Sequence, residues 1–82
     1  MWYVYIIECS NGYYYTGITN DIDKRMDKHA QGIASKFTRG FGFKKLLYRE
    51  EHATKSDALK REFEIKQLTR LAKKNLIKNR KK

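Results

Sequence analysis

Residues 2–18 read WYVYIIECSNGYYYTGI, and the way the two halves of this stretch pair decides the fold. Each half is a short run of β-branched and aromatic residues, and Ser10-Asn11-Gly12 between them is a strong hairpin signal. A two-residue Asn11-Gly12 turn would pair Tyr5 with Ile18 and put Tyr5 and Tyr15 on opposite faces, because side chains alternate with period two. A three-residue loop from Ser10 to Gly12, with Gly12 left-handed, pairs Tyr5 with Gly17 and Ile7 with Tyr15 instead. That register gathers Tyr3, Tyr5, Tyr13 and Tyr15 on one face. It leaves Trp2, Val4, Ile6, Tyr14, Thr16 and Ile18 on the other, the expected core surface.

Outward from the hairpin, Thr19-Asn20-Asp21 offers N-cap chemistry for a helix over about 21–31, closed by Gly32. Ile22, Met26 and Ala30 form its expected buried stripe, with Arg25 and His29 alongside at the edge between core and water. Residues 32–43 carry Gly32, Gly40 and Gly42 with Ser35, Lys36, Thr38 and Arg39, and read as a loop with at most one helical turn. Residues 44–51 read as a third strand with Leu46 and Tyr48 on one face and Leu47 on the other. Thr54-Lys55-Ser56-Asp57 opens a second helical stretch. Its apolar residues change side, Ala58, Leu59 and Phe63 first, then Ile65, Leu68, Ala72 and Leu76, which predicts a break near 68–70 with Thr69 capping a last helix. The expected fold is α+β: a three-stranded antiparallel sheet, hairpin plus one later strand, flanked by three to four helices.

The chain has 82 residues, a length that buries only about 60% of the unfolded surface and suits one domain over 1–82. It carries 19 Lys and Arg against 9 Asp and Glu, a net charge of +10, which points to a polyanionic partner. From Arg70 onward come Arg70, Lys73, Lys74, Lys78, Arg80, Lys81 and Lys82 with no acidic residue, a basic C-terminal helix or tail over about 69–82. No stretch is apolar for the ~20 residues a membrane span needs. The apolar opening is short for a signal peptide and contains Glu8, so the cytoplasm is the expected compartment. Cys9 is the single cysteine, and Cys9, His29 and His52 lack the paired spacing of zinc ligands.

Tyr3-Val4-Tyr5 followed by Tyr15-Thr16-Gly17, with Arg25 downstream, resembles the GIY-YIG nuclease domain. Thr16-Gly17-Ile18-Thr19-Asn20-Asp21, Lys36-Phe37-Thr38-Arg39-Gly40 and Ser56-Asp57-Ala58-Leu59-Lys60-Arg61-Glu62 are similar to its small, stand-alone bacterial branch, and the likeness runs through nearly the whole chain. The chain departs from the family pattern where Tyr3 replaces the first-motif glycine and Thr16 the second-motif isoleucine. Neither change removes a hydroxyl the chemistry needs.

The resemblance implies a divalent-metal-dependent nuclease acting on DNA, ahead of RNA, or on structured nucleic acid, in DNA repair or recombination. Phosphodiester cleavage needs an activated water, charge stabilisation on the phosphoryl oxygens and help for the leaving oxygen. The resemblance makes Tyr15 the general base or water positioner. A free phenol has a pKa of about 10, so that role needs nearby cations. Tyr5 would orient water or substrate. Arg25 would grip the phosphate through its planar guanidinium, or stand as a solvated helix arginine. His29 would contact the phosphate or move a proton, or stand half-exposed at the surface. Glu62, flanking Leu59 and Phe63 on the wheel, is the expected ligand for Mg²⁺ or Mn²⁺, its alternative being an ion pair with Lys66. Lys36, Thr38, Arg39, Arg70, Lys73 and Lys74 are expected on the phosphate backbone. Two rival readings keep the fold: a nucleic-acid-binding module with little turnover, and a subunit that docks on a larger protein through an apolar patch near Phe41, Phe43 or Leu76.

Overall fold

The hairpin closes through the three-residue loop. In the computed structural model, which describes residues 1–79, strand β1 (Trp2–Cys9) runs antiparallel to β2 (Tyr14–Thr19), with Tyr5 opposite Gly17 and Ile7 opposite Tyr15. Gly12 takes a φ of +88°, and the Cys9 amide donates to Tyr13 O at 2.7 Å. Strand β3 (Phe43–His52) pairs with the other edge of β1, so the sheet order is β2-β1-β3. Helices α1 (Ile22–Ala30), α2 (Lys36–Phe41), α3 (Lys55–Lys66) and α4 (Arg70–Asn79) complete an α+β fold. Arg80, Lys81 and Lys82, the end of the expected basic tail, lie outside the described residues. No helix among those described is long and apolar enough to cross a membrane.

The sheet has two buried faces, where the alternation of the hairpin predicts one. Val4, Tyr5, Ile6 and Ile7 are all buried, as a central strand covered on both sides requires. Val4 and Ile6 pack with Tyr48, Ala58 and Ile65, and Trp2, Ile18, Leu47, Leu76 and Ile77 close around them. Tyr5 and Ile7 pack with Ile22, flanked by Tyr3, Tyr15, Met26, Phe43 and Leu46. One strand therefore feeds an α3/α4 core with its even-numbered residues and an α1 core with its odd-numbered ones.

Several local expectations shift for identifiable reasons. Leu46 and Tyr48 do not share a face: the β1–β3 register slips between Ile6 and Ile7, so Tyr48 stands opposite Ile6 while Leu46 stands opposite Ile7. A bulge inserts one residue and reverses the alternation, and period two alone does not reveal it. On α1 the N-cap is Asp21, whose side chain accepts from the Lys24 amide at 3.1 Å. The stripe runs Ile22, Met26, His29, leaving Ala30 exposed, because an i, i+4, i+7 pattern tracks the 3.6-residue turn where strict fours drift. Residues 36–41 form a helix nearly two turns long, capped by Ser35, whose hydroxyl accepts from the Thr38 amide. On α3, Leu59 and Phe63 point outward and Ala58 and Ile65 inward. The break before α4 falls where the stripe changes side, and Thr69 Oγ1 accepts from the Ala72 amide at 3.1 Å.

Candidate functional site

The site begins where Tyr5 crosses β2. Because Tyr5 pairs with Gly17, its ring lies over the position where a Cβ would stand. A methyl group there would come within 2.6 Å of Tyr5 Oη and 2.8 Å of Cζ. Only glycine lets the two approach. Tyr15, two residues earlier on the same strand, lies beside Tyr5 with ring centroids 6.4 Å apart, and remains half-buried at the rim.

Behind these rings α1 and α2 supply a buried polar chain. Tyr5 Oη lies 2.8 Å from His29 Nε2, His29 Nδ1 lies 2.9 Å from Thr38 Oγ1, and Thr38 Oγ1 is within reach of both Ser35 Oγ and Ser35 O. Tyr5, His29 and Thr38 are each 1% exposed. Burial, with the Arg25 guanidinium nearby, pushes the His29 pKa down to about 4, so the ring is neutral at pH 7 and has one donor and one acceptor. With the Thr38 hydroxyl donating to Ser35 O, Nδ1–H donates to Thr38 and Nε2 accepts from the Tyr5 hydroxyl. We assign this tautomer from the network. Burial, reinforced by Tyr15, drives the Tyr5 pKa well above its ordinary value, so Tyr5 stays a protonated phenol.

Three expectations are corrected here. His29 is neither a surface histidine nor placed to touch a phosphate: both ring nitrogens are engaged and the ring is enclosed by Tyr5, Tyr15 and a stacked Phe43. Thr38, expected on the phosphate backbone, is turned inward because Ser35 starts a helix there. Tyr5 likewise stands under the surface, where it props the site in place of meeting solvent.

Arg25 on α1 and Glu62 on α3 both act electrostatically on the Tyr5 phenol, with opposite signs. Arg25 lines a cleft of about 160 Å³ at the start of α1 with Thr19, Asn20, Asp21, Lys24 and Lys28. Lys24 and Lys28 were not singled out from the sequence, although their four-residue spacing around Arg25 puts three cations on one side of α1. Glu62 is turned toward the sheet, its side chain only 18% exposed, but not because it flanks Leu59 and Phe63. It lies four residues after Ala58 and three before Ile65, on the buried stripe. Lys66 Nζ pairs with its Oε2 at 3.3 Å, and since Lys66 is half exposed, such a pair is worth about 0–1 kcal/mol and releases the carboxylate readily.

Among the described residues no group of three or more His, Cys, Asp or Glu side chains converges as a metal cage. A single half-buried carboxylate with no other acidic ligand suits a hard cation that keeps most of its waters, which Mg²⁺ does. Glu62 is the residue that would hold it.

The remaining expected contacts lie around this centre. Lys36 and Arg39 line an open groove of about 650 Å³ with Gln31, Gly32, Ile33 and Ser35. Arg70 is exposed but engaged: it donates to Gly12 O at 2.8 Å and covers the Tyr14 ring, tying α4 to the hairpin loop. Lys73 shares a hollow with Tyr13, Tyr14 and Arg70, and Lys74 is exposed. Of the apolar patch residues, Phe41 is exposed, whereas Phe43 and Leu76 are half-buried against the two cores.

A second polar cluster clamps β3 to α3. Glu50 accepts from Tyr48, from His52 Nε2 at 2.9 Å and from Arg61 Nε at 2.7 Å, and Arg61 also reaches Glu64. Burial alone would raise the Glu50 pKa, but these hydrogen bonds outweigh it and hold the carboxyl below its usual value. With its oxygens so occupied, this cluster is a tether.

Comparison with known proteins agrees with the geometry. The model of the GIY-YIG catalytic domain matches residues 1–75. A UPF0213 protein of Staphylococcus aureus is 47% identical over 78 residues, which cover 95% of both chains. The solution NMR structure of a UPF0213 protein from Bacillus halodurans aligns with a TM-score of 0.60 at 44% identity, over 95% of this chain and 84% of that one.

Proposed function

The chain belongs to the GIY-YIG catalytic-domain family, a nuclease family, and from that membership we propose that it is a divalent-metal-dependent endonuclease that hydrolyses phosphodiester bonds in DNA or structured nucleic acid. The observation that carries this reading is the Tyr5–Tyr15 pair seated where Gly17 leaves room for it, with Arg25 and Glu62 both near enough to act electrostatically on the buried Tyr5 phenol. Tyr15 is the motif tyrosine left at the rim, so its oxygen orients the attacking water and, in the phenolate form that nearby cations favour, takes the water's proton to become the neutral phenol. Tyr5, sealed and protonated, cannot be the base. Its hydroxyl and His29 instead form a stiff backing that fixes the Tyr15 ring. Arg25, with Lys24 and Lys28, receives the scissile phosphate, where the guanidinium offers two parallel hydrogen bonds to the oxygens that gain charge. A cation on Glu62, Mg²⁺ or Mn²⁺, would supply further charge neutralisation at that phosphate. Lys36, Arg39 and Lys73 hold the strand on either side without reading its sequence. Work in DNA repair or recombination is part of the same proposal.

The test is cleavage of labelled single-stranded, flap, branched and duplex DNA and of matching RNA, with Mg²⁺ or Mn²⁺, comparing the wild type with Glu62→Ala. Products that need both the metal and Glu62 are expected. Salt-sensitive binding with no products on any substrate would replace the nuclease with a nucleic-acid-binding module.

A further inference from the structure

Outside the catalytic centre, the least explained surface is aromatic. Tyr13 at the hairpin loop and Phe37 and Phe41 on α2 form one group: Tyr13 lies 5.4 Å from Phe41 and 6.4 Å from Phe37, and Phe37 lies 4.9 Å from Phe41, centroid to centroid. A cluster whose only task was to pin α2 to the hairpin would bury its rings, yet Tyr13 is 53% and Phe41 43% exposed. The group also runs into the site, since the Phe37 ring is 5.6 Å from that of Tyr15. Tyr13 and Tyr15 are two residues apart along the chain, about 6.6 Å on an extended strand, comparable to one extended nucleotide. Cations border the other side of Tyr13, where Arg70 and Lys73 share its hollow.

Resting on the nuclease reading, we propose that Tyr13, Phe37 and Phe41 are a stacking ledge for an unpaired nucleobase next to the scissile phosphate, so that the substrate is unpaired at the cut. Aromatic rings interleaved with cations, in a chain of net charge +10, match the chemistry of a single strand. They match a duplex poorly, because paired bases present edges and phosphates, and their faces are already stacked. The ledge tells strand states apart and is tolerant of sequence, since every base has a π-face.

Fluorescence anisotropy of the full chain in EDTA, where no cleavage proceeds, tests this with a labelled single strand and a blunt duplex over a salt series. Tyr13→Leu keeps the bulk and removes the ring. Its affinity for the single strand should fall roughly tenfold, with duplex binding unchanged and the dependence on salt unaltered, because stacking releases no counterions. Tyr13→Phe should bind like the wild type, and Phe41→Leu should repeat the loss. Lys73→Ala should instead lower the salt slope by about one. Tyr13→Leu within twofold of the wild type on the single strand, or an equal loss on both substrates, would overturn the ledge and leave the nuclease reading standing. A protein-docking role for this patch predicts that first result. Absence of salt-dependent binding to either substrate would remove both.

Discussion

The two faces of the sheet are built from alternate residues of one strand and are chemically unlike. Val4 and Ile6 enter a core of aliphatic and aromatic side chains closed by α3 and α4, with the Glu50–Arg61 tether at its margin. Tyr5 and Ile7 enter a smaller core whose interior holds a continuous chain of hydroxyl, imidazole and hydroxyl groups. A buried polar chain is stiff when every member is satisfied and costly when one is missing. The first face is suited to holding the chain folded. The second is suited to holding Tyr15 still against Tyr5 and His29 at the rim. On that second face Gly17, opposite Tyr5, leaves the room the Tyr5 ring needs.

Substitutions should separate the two roles. Tyr15→Phe, Arg25→Ala and Glu62→Ala should each lower the single-turnover cleavage rate by about 10²–10⁴-fold, with thermal unfolding near that of the wild type. A large loss of stability in these variants would erase the distinction between the faces. Ile6→Ala, on the α3/α4 side, should do the reverse: a loss of about 2–5 kcal/mol in urea unfolding, with folded molecules cleaving normally.

Acid should act mainly through the polar face. Between pH 6.5 and about 4 the unfolded chain's imidazole takes a proton that the folded His29 refuses, so stability falls as pH drops through that window, by up to ~3 kcal/mol. Urea unfolding of His29→Gln should lack this component, and its stability should change less than that of the wild type between pH 7 and pH 4.5. Equal changes would mean that His29 is not held neutral. The smallest effect concerns Thr16, whose buried Oγ1 has no hydrogen-bond partner among the described residues. Thr16→Val should raise stability by about 1 kcal/mol without altering cleavage.

The hairpin register was legible in part: the sequence offered two, the three-residue loop with Gly12 left-handed is the one that forms, and the space Gly17 leaves to Tyr5 shows only in the structure. Helices α1, α3 and α4 were legible from caps, and Thr54 and Thr69 both act as read, whereas α2 falls in a segment read as a loop. What the sequence hid was the inside of the polar face. His29 looks like an edge residue when the stripe is counted in strict fours, and Thr38 looks like a phosphate ligand while its segment is taken for a loop. Their contact spans α1 and α2, and neither helix shows it alone. Glu62 was placed toward the sheet for a mistaken reason, since Leu59 and Phe63 face water. The bulge opposite Ile6 and Ile7 leaves no compositional mark, so the faces of β3 could not be read from alternation.

In the proposed reaction Tyr15, held by the buried Tyr5–His29 pair, acts on the phosphodiester together with a cation on Glu62. Single-turnover cleavage of one labelled DNA strand with Mn²⁺ tests it most directly, comparing the wild type, Tyr15→Phe, Glu62→Ala and Ile6→Val. The account predicts products from the wild type and Ile6→Val alone. Equal rates from the wild type and Tyr15→Phe would contradict it.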